Sequence, residues 1–439
     1  MCFEKSVCDT LTELESKFGK LNFENFLDQN DPIGFLRNEF IIPHVSGSSD
    51  EACVYFVGNS LGPQPRECAS YISESLTSWA DRGVTGHFSG ERPWLNYDEF
   101  LVPEQARLVG ALPLEIAIMN SLTVNLHLLL VRFYSPLKTG RWKILVEDKC
   151  FPSDLYAIAS QVRLHGGDPD ECIIKVSSKK GQETLNLDEI VNTIHENGKN
   201  LALVVFGGVQ YYTGQYFDIP AVTRAAHAVG AFAVWDLGHA VGNVDLRLHD
   251  WEVDGACWCS YKYLNAGPGS VAGFFIHTKH FNVSKAPKLA GWWGHDVNSR
   301  FLMDGSFVGA PGANEFRLSN VPIFAAAALF SSLRIFEKAS MQILRAKSLL
   351  LTGLLERTLG SSGPGWKIIT PTNQRGAQLS LLFENDQRAK HLQKCLEDIK
   401  LIVDYRKPGL VRVTPAPLYC TFKDVALFCK HFLHALEKI

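Results

Sequence analysis

The chain has 439 residues, 46% of them apolar and 20% charged, and its 43 lysines and arginines against 46 aspartates and glutamates leave a formal net charge of −3. This is enough apolar material for a substantial core and, at about 100–200 residues per domain, enough length for two or three domains. The near-neutral balance, without blocks of like charge, lacks the footprint of a nucleic-acid or anionic-membrane binder. The longest apolar runs, Leu128–Val131, Leu201–Phe206 and Ile323–Phe330, fall far short of the roughly 18–20 residues of a membrane span.

The opening MCFEKSVCDT has charges where a secretion signal needs its apolar stretch, so no signal is expected. Eleven cysteines are scattered without a CxxC; the closest pair, Cys257 and Cys259, would point to one face of a strand. This usage reads as reduced core thiols of a cytoplasmic protein, with neither a disulfide framework nor a metal site.

Residues 1–55 read as a helical arm, with periodic stretches at LTELESKF and NFENFLDQNDPIGFLRNEF punctuated by Pro32 and Pro43. From there to about residue 320 short apolar strands alternate with amphipathic helices. The strands are WKILVED (142–148), CIIKV (172–176), LALVVFGG (201–208), AFAVWD (231–236), GACWCS (255–260) and GFFIHT (273–278). The helices include 153–166, 187–198 and 220–230, each closed by glycine. Strands apolar on both faces and separated by helices predict a large α/β domain with a mostly parallel sheet covered on both sides. A long helical segment, 322–359, opens a smaller C-terminal α+β domain, 321–439. Its strands are expected at WKIITP, AQLSLLFE and LVRVTP, and its helices at DQRAKHLQKCLEDI and FKDVALFCKHFLHALEKI.

In open α/β sheets ligands bind beyond the carboxyl ends of the strands. Asp236 ends AFAVWD, and the next strand runs out through SYK to Lys262. An acid and a lysine on neighbouring strand ends suit pyridoxal phosphate: the lysine forms the Schiff base, and the carboxylate keeps the pyridine nitrogen protonated. Singly, a helix cap and a solvated lysine would explain them; Tyr261 and the glycine-rich NAGPGSVAG behind favour the functional reading. MNSLTVNLHLLLVRF, with Ser121 and Thr123 at its start, reads as a turn entering a helix whose free N–H groups would meet a phosphate. Neither GxGxxG after a first strand nor GxxxxGK[ST] is present, which discards a nicotinamide enzyme.

SYKYLNAGPG, WDLGHAVGN, LTVNLH, FPSD (151–154), YFVGNSLGPQP, GWWGHD and above all LHDWEVDGACWCSYKYLNAGPG resemble the kynureninase family, pyridoxal-phosphate enzymes of fold type I, in order from Tyr55 to Tyr419. The resemblance implies Lys262 as Schiff-base lysine, Asp236 as partner of the pyridine nitrogen, and Phe151 against the cofactor ring with Asp154 and His239 around it, Pro152 and Ser153 being cofactor-binding as well. It also implies phosphate contacts from Leu122, Thr123 and Tyr261, with Trp292 and Asn320 completing the site across a homodimer interface. Arg412 would pair with the substrate α-carboxylate, and His87, with Asn320, would meet the substrate ring. One departure is Gly207, in VVFGGVQYYTG, where the family usually carries a hydroxyl residue.

The implied reaction is hydrolysis of the Cβ–Cγ bond of L-3-hydroxykynurenine, and second L-kynurenine, to 3-hydroxyanthranilate or anthranilate and L-alanine, in tryptophan catabolism and NAD biosynthesis. Tyr261 is the candidate proton relay. A cysteine desulfurase shares the fold and the Asp…Lys pair but needs a loop cysteine, for which Cys420 is the only late candidate; a catalytically silent binder would have no need of Asp236, Lys262 and Arg412 together.

Overall fold

The computed structural model describes residues 7–18, 23–44, 52–281, 286–303 and 305–438. Seven strands form the main sheet: β1 Ile116–Ile118, β2 Lys143–Glu147, β3 Ile173–Val176, β4 Leu201–Gly207, β5 Phe232–Asp236, β6 Gly255–Trp258 and β7 Gly273–Ile276. Their spatial order is β1-β7-β6-β5-β4-β2-β3, and only β7 runs antiparallel to its neighbours. Alternate side chains enter opposite layers: Ile144, Val146, Val234 and Cys257 lie in one hydrophobic cluster, Leu145, Trp235, Ala256 and Trp258 in the other. This two-sided burial is why the strands read as unbroken apolar runs. The expected fold, a mostly parallel sheet between helices plus a C-terminal α+β unit, is the one observed.

The C-terminal sheet is antiparallel, ordered β8-β9-β10-β12-β11, from Ser362–Gly363 (β8), Trp366–Ile368 (β9), Leu379–Phe383 (β10), Asp404–Arg406 (β11) and Leu410–Val413 (β12). Val54–Tyr55 pairs in parallel with Leu401–Ile402, tying the segment after the arm to this unit. The arm helix Phe23–Gln29 packs on the C-terminal helix Phe422–Leu436.

Several elements differ from expectation, among them the short C-terminal strands β8 and β11, which were not expected. The segment 322–359 is two helices, Ile323–Phe336 and Met341–Leu359, because the Ser340 hydroxyl accepts from the Ile343 N–H at 3.3 Å and starts a new helix. The 22–40 stretch is a helix only over Phe23–Gln29; beyond Pro32 it becomes a 3₁₀ turn, Gly34–Glu39. Strand β1, three residues long, was too short for periodicity to reveal. Cys2 lies outside the described residues, and the nine cysteines whose side chains are described are free thiols.

At the sheet end opposite the carboxyl ends of the parallel strands, Asp254 is the buried hub of a charge cluster. Its Oδ2 accepts from His227 Nε2 and the Ala233 N–H, both at 2.7 Å, and its Oδ1 from His280 Nε2 at 2.7 Å and Lys279 Nζ at 2.9 Å. Burial pushes this carboxyl up, but the His227 and His280 hydrogen bonds and Lys279 outweigh it and hold it below the ordinary carboxylate range. The depressed value means that this stabilisation is complete above the unfolded-state pKa and lost as pH falls through the folded one. Asp254→Asn should cost about 3 kcal/mol in urea unfolding at neutral pH, since it leaves three cationic or polar partners unmatched. A change below about 0.5 kcal/mol would show that the cluster carries no stability.

Candidate active site

Strand β5 delivers Asp236 to the carboxyl edge of the main sheet, where Oδ1 accepts the Gly238 N–H at 2.7 Å. Strand β6 pairs with it in parallel, Asp236 opposite Cys257, and runs on to Lys262. Parallel pairing thus turns a sequence separation into one shared edge. A cavity opens there, lined by Asp236, His239, Tyr261 and Lys262 together with Leu122, Thr123, Phe151, Ser153 and Asp154.

Two helix starts face this cavity. Helix α1, Leu122–Phe133, begins after Ser121, whose side chain does not cap it, so its first N–H groups remain for a ligand. Helix α2, Pro152–Leu164, has proline in its first turn, and Ser153 Oγ lies 3.0 Å from Thr123 Oγ1, joining the two starts. Together they form an anion cradle of hydroxyls and backbone donors.

The interior is short of partners. Asp154 Oδ1 and His239 Nδ1 are buried without a hydrogen bond. Burial, then the Asp236 carboxylate, drives the Asp154 carboxyl well above its ordinary range, while burial and the Lys262 charge drive His239 well below its own. Burial and neighbouring Cys259 also raise the Tyr261 phenol, which keeps its proton. The Lys262 ammonium nitrogen stands 5.8 Å from the ring centroids of both Phe151 and Tyr261. A lysine amine, a carboxylate, orphaned polar atoms and an anion cradle around one cavity make the donor set that a phosphorylated aromatic aldehyde requires.

Other expected residues stand farther off. Arg412, 2% exposed, donates to the carbonyl of Tyr211, a cavity residue, and to Ser60 Oγ (3.0 Å), and pairs with Asp404. Pro152 starts α2 but does not line the cavity. His87 packs edge-on against Trp94, with ring centroids 5.3 Å apart. Trp292 is 49% exposed in a separate hollow with His295, Arg300 and Phe307, and Asn320 is exposed, so within one chain neither reaches the cavity. Cys420 is buried, its thiol facing the Tyr55 carbonyl at 3.6 Å and pushed well above its ordinary pKa, unsuited to a mobile sulfur carrier. Sequence reading missed Glu147, Val209 and Tyr211, which also line the cavity. Glu147 had a signal: like Asp236, it is an acid at the end of an apolar strand.

A family model described as the kynureninase C-terminal domain matches residues 344–432. The chain is 50% identical to kynureninase of Myxococcus xanthus, covering 93% of this chain and 96% of that protein, and 47% identical to kynureninase of Mus musculus, covering 94% and 92%. Among solved structures it is similar to the cysteine desulfurase CsdA of Escherichia coli, with a TM-score of 0.74 at 15% identity over 92% of this chain and 98% of that one. It is also similar to the cystine C-S lyase C-DES, with a TM-score of 0.71 at 15% identity over 87% and 97%. At such identities these two likenesses concern the fold.

The raised Asp154 carboxyl has a thermodynamic consequence. Its contribution to stability is complete below the unfolded-state pKa and lost as pH rises through the folded one. Cofactor-free Asp154→Asn, which cannot ionise, should therefore lose less stability than the parent between about pH 4 and pH 8 in urea unfolding. Parallel profiles for the two proteins would show that the carboxyl ionises without penalty.

Proposed function

The chain belongs to the kynureninase family, and from that premise we propose that it hydrolyses the Cβ–Cγ bond of L-3-hydroxykynurenine in preference to that of L-kynurenine. The enzyme is a pyridoxal-phosphate-dependent hydrolase that cleaves kynurenines in tryptophan catabolism. The observation that carries the assignment to this site is the convergence of Asp236 and Lys262 on one cavity at neighbouring strand ends. Bound there, pyridoxal phosphate supplies an electron sink for the charge left when the substrate Cα–H bond breaks.

The chain's residues divide the remaining work. The amine of Lys262 holds the cofactor and then takes the α-proton. Asp236 keeps a positive partner on the pyridine nitrogen, with Phe151 against the ring and Pro152, Asp154 and His239 around it. Leu122, Thr123 and Ser153 hold the phosphate at the helix starts, with Tyr261 beside them. The planar guanidinium of Arg412, oriented by its pairing with Asp404, meets the substrate α-carboxylate. Water adds to the γ-carbonyl, an anthranilate departs, and the Tyr261 hydroxyl, kept protonated by burial, relays the proton that completes L-alanine.

His87 and Asn320 are assigned to the aryl ring, and Trp292 to the cofactor, in a homodimer whose subunits complete each other's sites. The exposure of Trp292 (49%), Phe301 (51%), Leu302 (70%) and Met303 (74%) in one segment supports such an apolar interface. No helix among the described residues is long and apolar enough to cross a membrane, and the free cysteines accord with the cytoplasm, where the product would feed NAD biosynthesis.

Three measurements test these assignments. Lys262→Ala should abolish the cofactor absorbance that borohydride bleaches and lower anthranilate release by at least about 10³-fold. Tyr261→Phe should slow the steps after Cα–H cleavage by about tenfold or more, and unchanged multi-step kinetics with unchanged cofactor affinity would remove the relay role. For the parent, kcat/KM should favour the 3-hydroxylated substrate by about tenfold or more, because polar ring contacts go unmatched with kynurenine; equal values would refute the preference.

A further inference from the structure

Glu147 ends strand β2 beside the end of β4, and both it and Gly207 line the active-site cavity. Its side chain is 4% exposed. Each apolar strand of this edge that ends in an acid, β2 and β5, thus sends a carboxyl into the same space. A Cβ placed at residue 207 would stand 3.4 Å from Glu147 Oε1, in ordinary contact, with no other side chain closer. A small side chain there would therefore sit against this oxygen without displacing anything, whereas the glycine leaves that space open.

Glu147 also lines a second hollow, bordered by Asp148, Lys149 and Glu183, and there Lys149 is paired with Glu183 at 3.0 Å. The other titratable groups near Glu147 are Asp236 from β5, Asp154 from α2 and the neutral Cys150 and Tyr211 from the adjoining loops, with Lys262 on the same active-site cavity. A third carboxylate in this space has no cation of its own. Burial first, then Asp236, pushes the Glu147 carboxyl up to about 8, against the pull of the Gln210 side chain and the Gly207 amide. At neutral pH it thus holds a proton, and a protonated carboxyl donates a hydrogen bond where a carboxylate could only accept.

We propose that Glu147 is a cofactor-binding residue of this chain, offering its carboxyl as a hydrogen-bond donor to pyridoxal phosphate through the opening that Gly207 leaves. The inference rests on the cofactor reading above and adds to it a contact that the glycine makes available. Above its own pKa the group turns from donor to anion, so its contribution should reverse on ionisation.

The test uses the full chain, stripped of cofactor and reloaded, with the dissociation constant of pyridoxal phosphate followed by absorbance from pH 6.5 to 9.5. Titration of the free cofactor is common to all proteins, so ratios between variants carry the result. Glu147→Gln, a neutral donor of the same shape, should bind within about threefold of the parent at pH 6.5 and escape the roughly tenfold weakening of the parent above pH 8. Glu147→Ala should bind about tenfold more weakly than the parent at pH 6.5. In a Gly207→Ser background, where a hydroxyl lies between Glu147 and the cavity, the same alanine substitution should cost less than about twofold. Coincident pH profiles for the parent and Glu147→Gln, or parent-like binding by Glu147→Ala, would overturn the proposal. Should the alanine variant not fold, the glutamine profile decides alone. A parent that forms no borohydride-reducible absorbance would instead defeat the cofactor reading itself.

Discussion

A sheet buried on both faces can expose its strands only at their ends, and the chemistry of this protein is organised by that restriction. Helices cover both layers of the main sheet, so the polar groups that must meet a ligand gather at the carboxyl edge, where β2, β4, β5 and β6 stop together. The edge concentrates charge in a place that water enters poorly. Asp236, Glu147 and Asp154 face the single amine of Lys262, and the outcome is a division of protonation states instead of a set of ion pairs.

That imbalance connects folding to function. Orphaned atoms such as Asp154 Oδ1 and His239 Nδ1 would be a defect in a purely structural core, where buried polar groups are matched. Elsewhere in the same sheet the chain matches them closely, as the four donors around Asp254 show. At this edge the orphaned atoms border a cavity onto which two helix starts also open. A ligand that brings an aldehyde, an aromatic nitrogen and a phosphate satisfies these deficits together, so its binding supplies what folding left open.

Much of this was legible in the linear pattern. The strands from β2 to β7 were visible because two-sided burial makes them unbroken apolar runs bounded by turns, and Asp236 and Lys262 were visible because each sits where such a run gives out. The break at Ser340 was hidden inside a continuous apolar periodicity, since one hydroxyl capping one N–H leaves that periodicity intact. Glu147 carried the same signal as Asp236, but its importance depends on what stands near it, and β4 beside its strand and β5 one strand beyond are distant in sequence.

What the amino-acid order determined by itself was local: which runs are buried on both faces, where each ends, and which side chain stands at each end. The tertiary structure alone decided which ends are neighbours, and with it the fate of every charge among them. Strand order put Glu147 near Gly207 and Asp236, and burial beside Asp236 raises the carboxyls of Glu147 and Asp154 above their ordinary range. Proton occupancy follows from distances and burial that no linear spacing encodes, because desolvation and Coulomb interactions act through space and not along the chain.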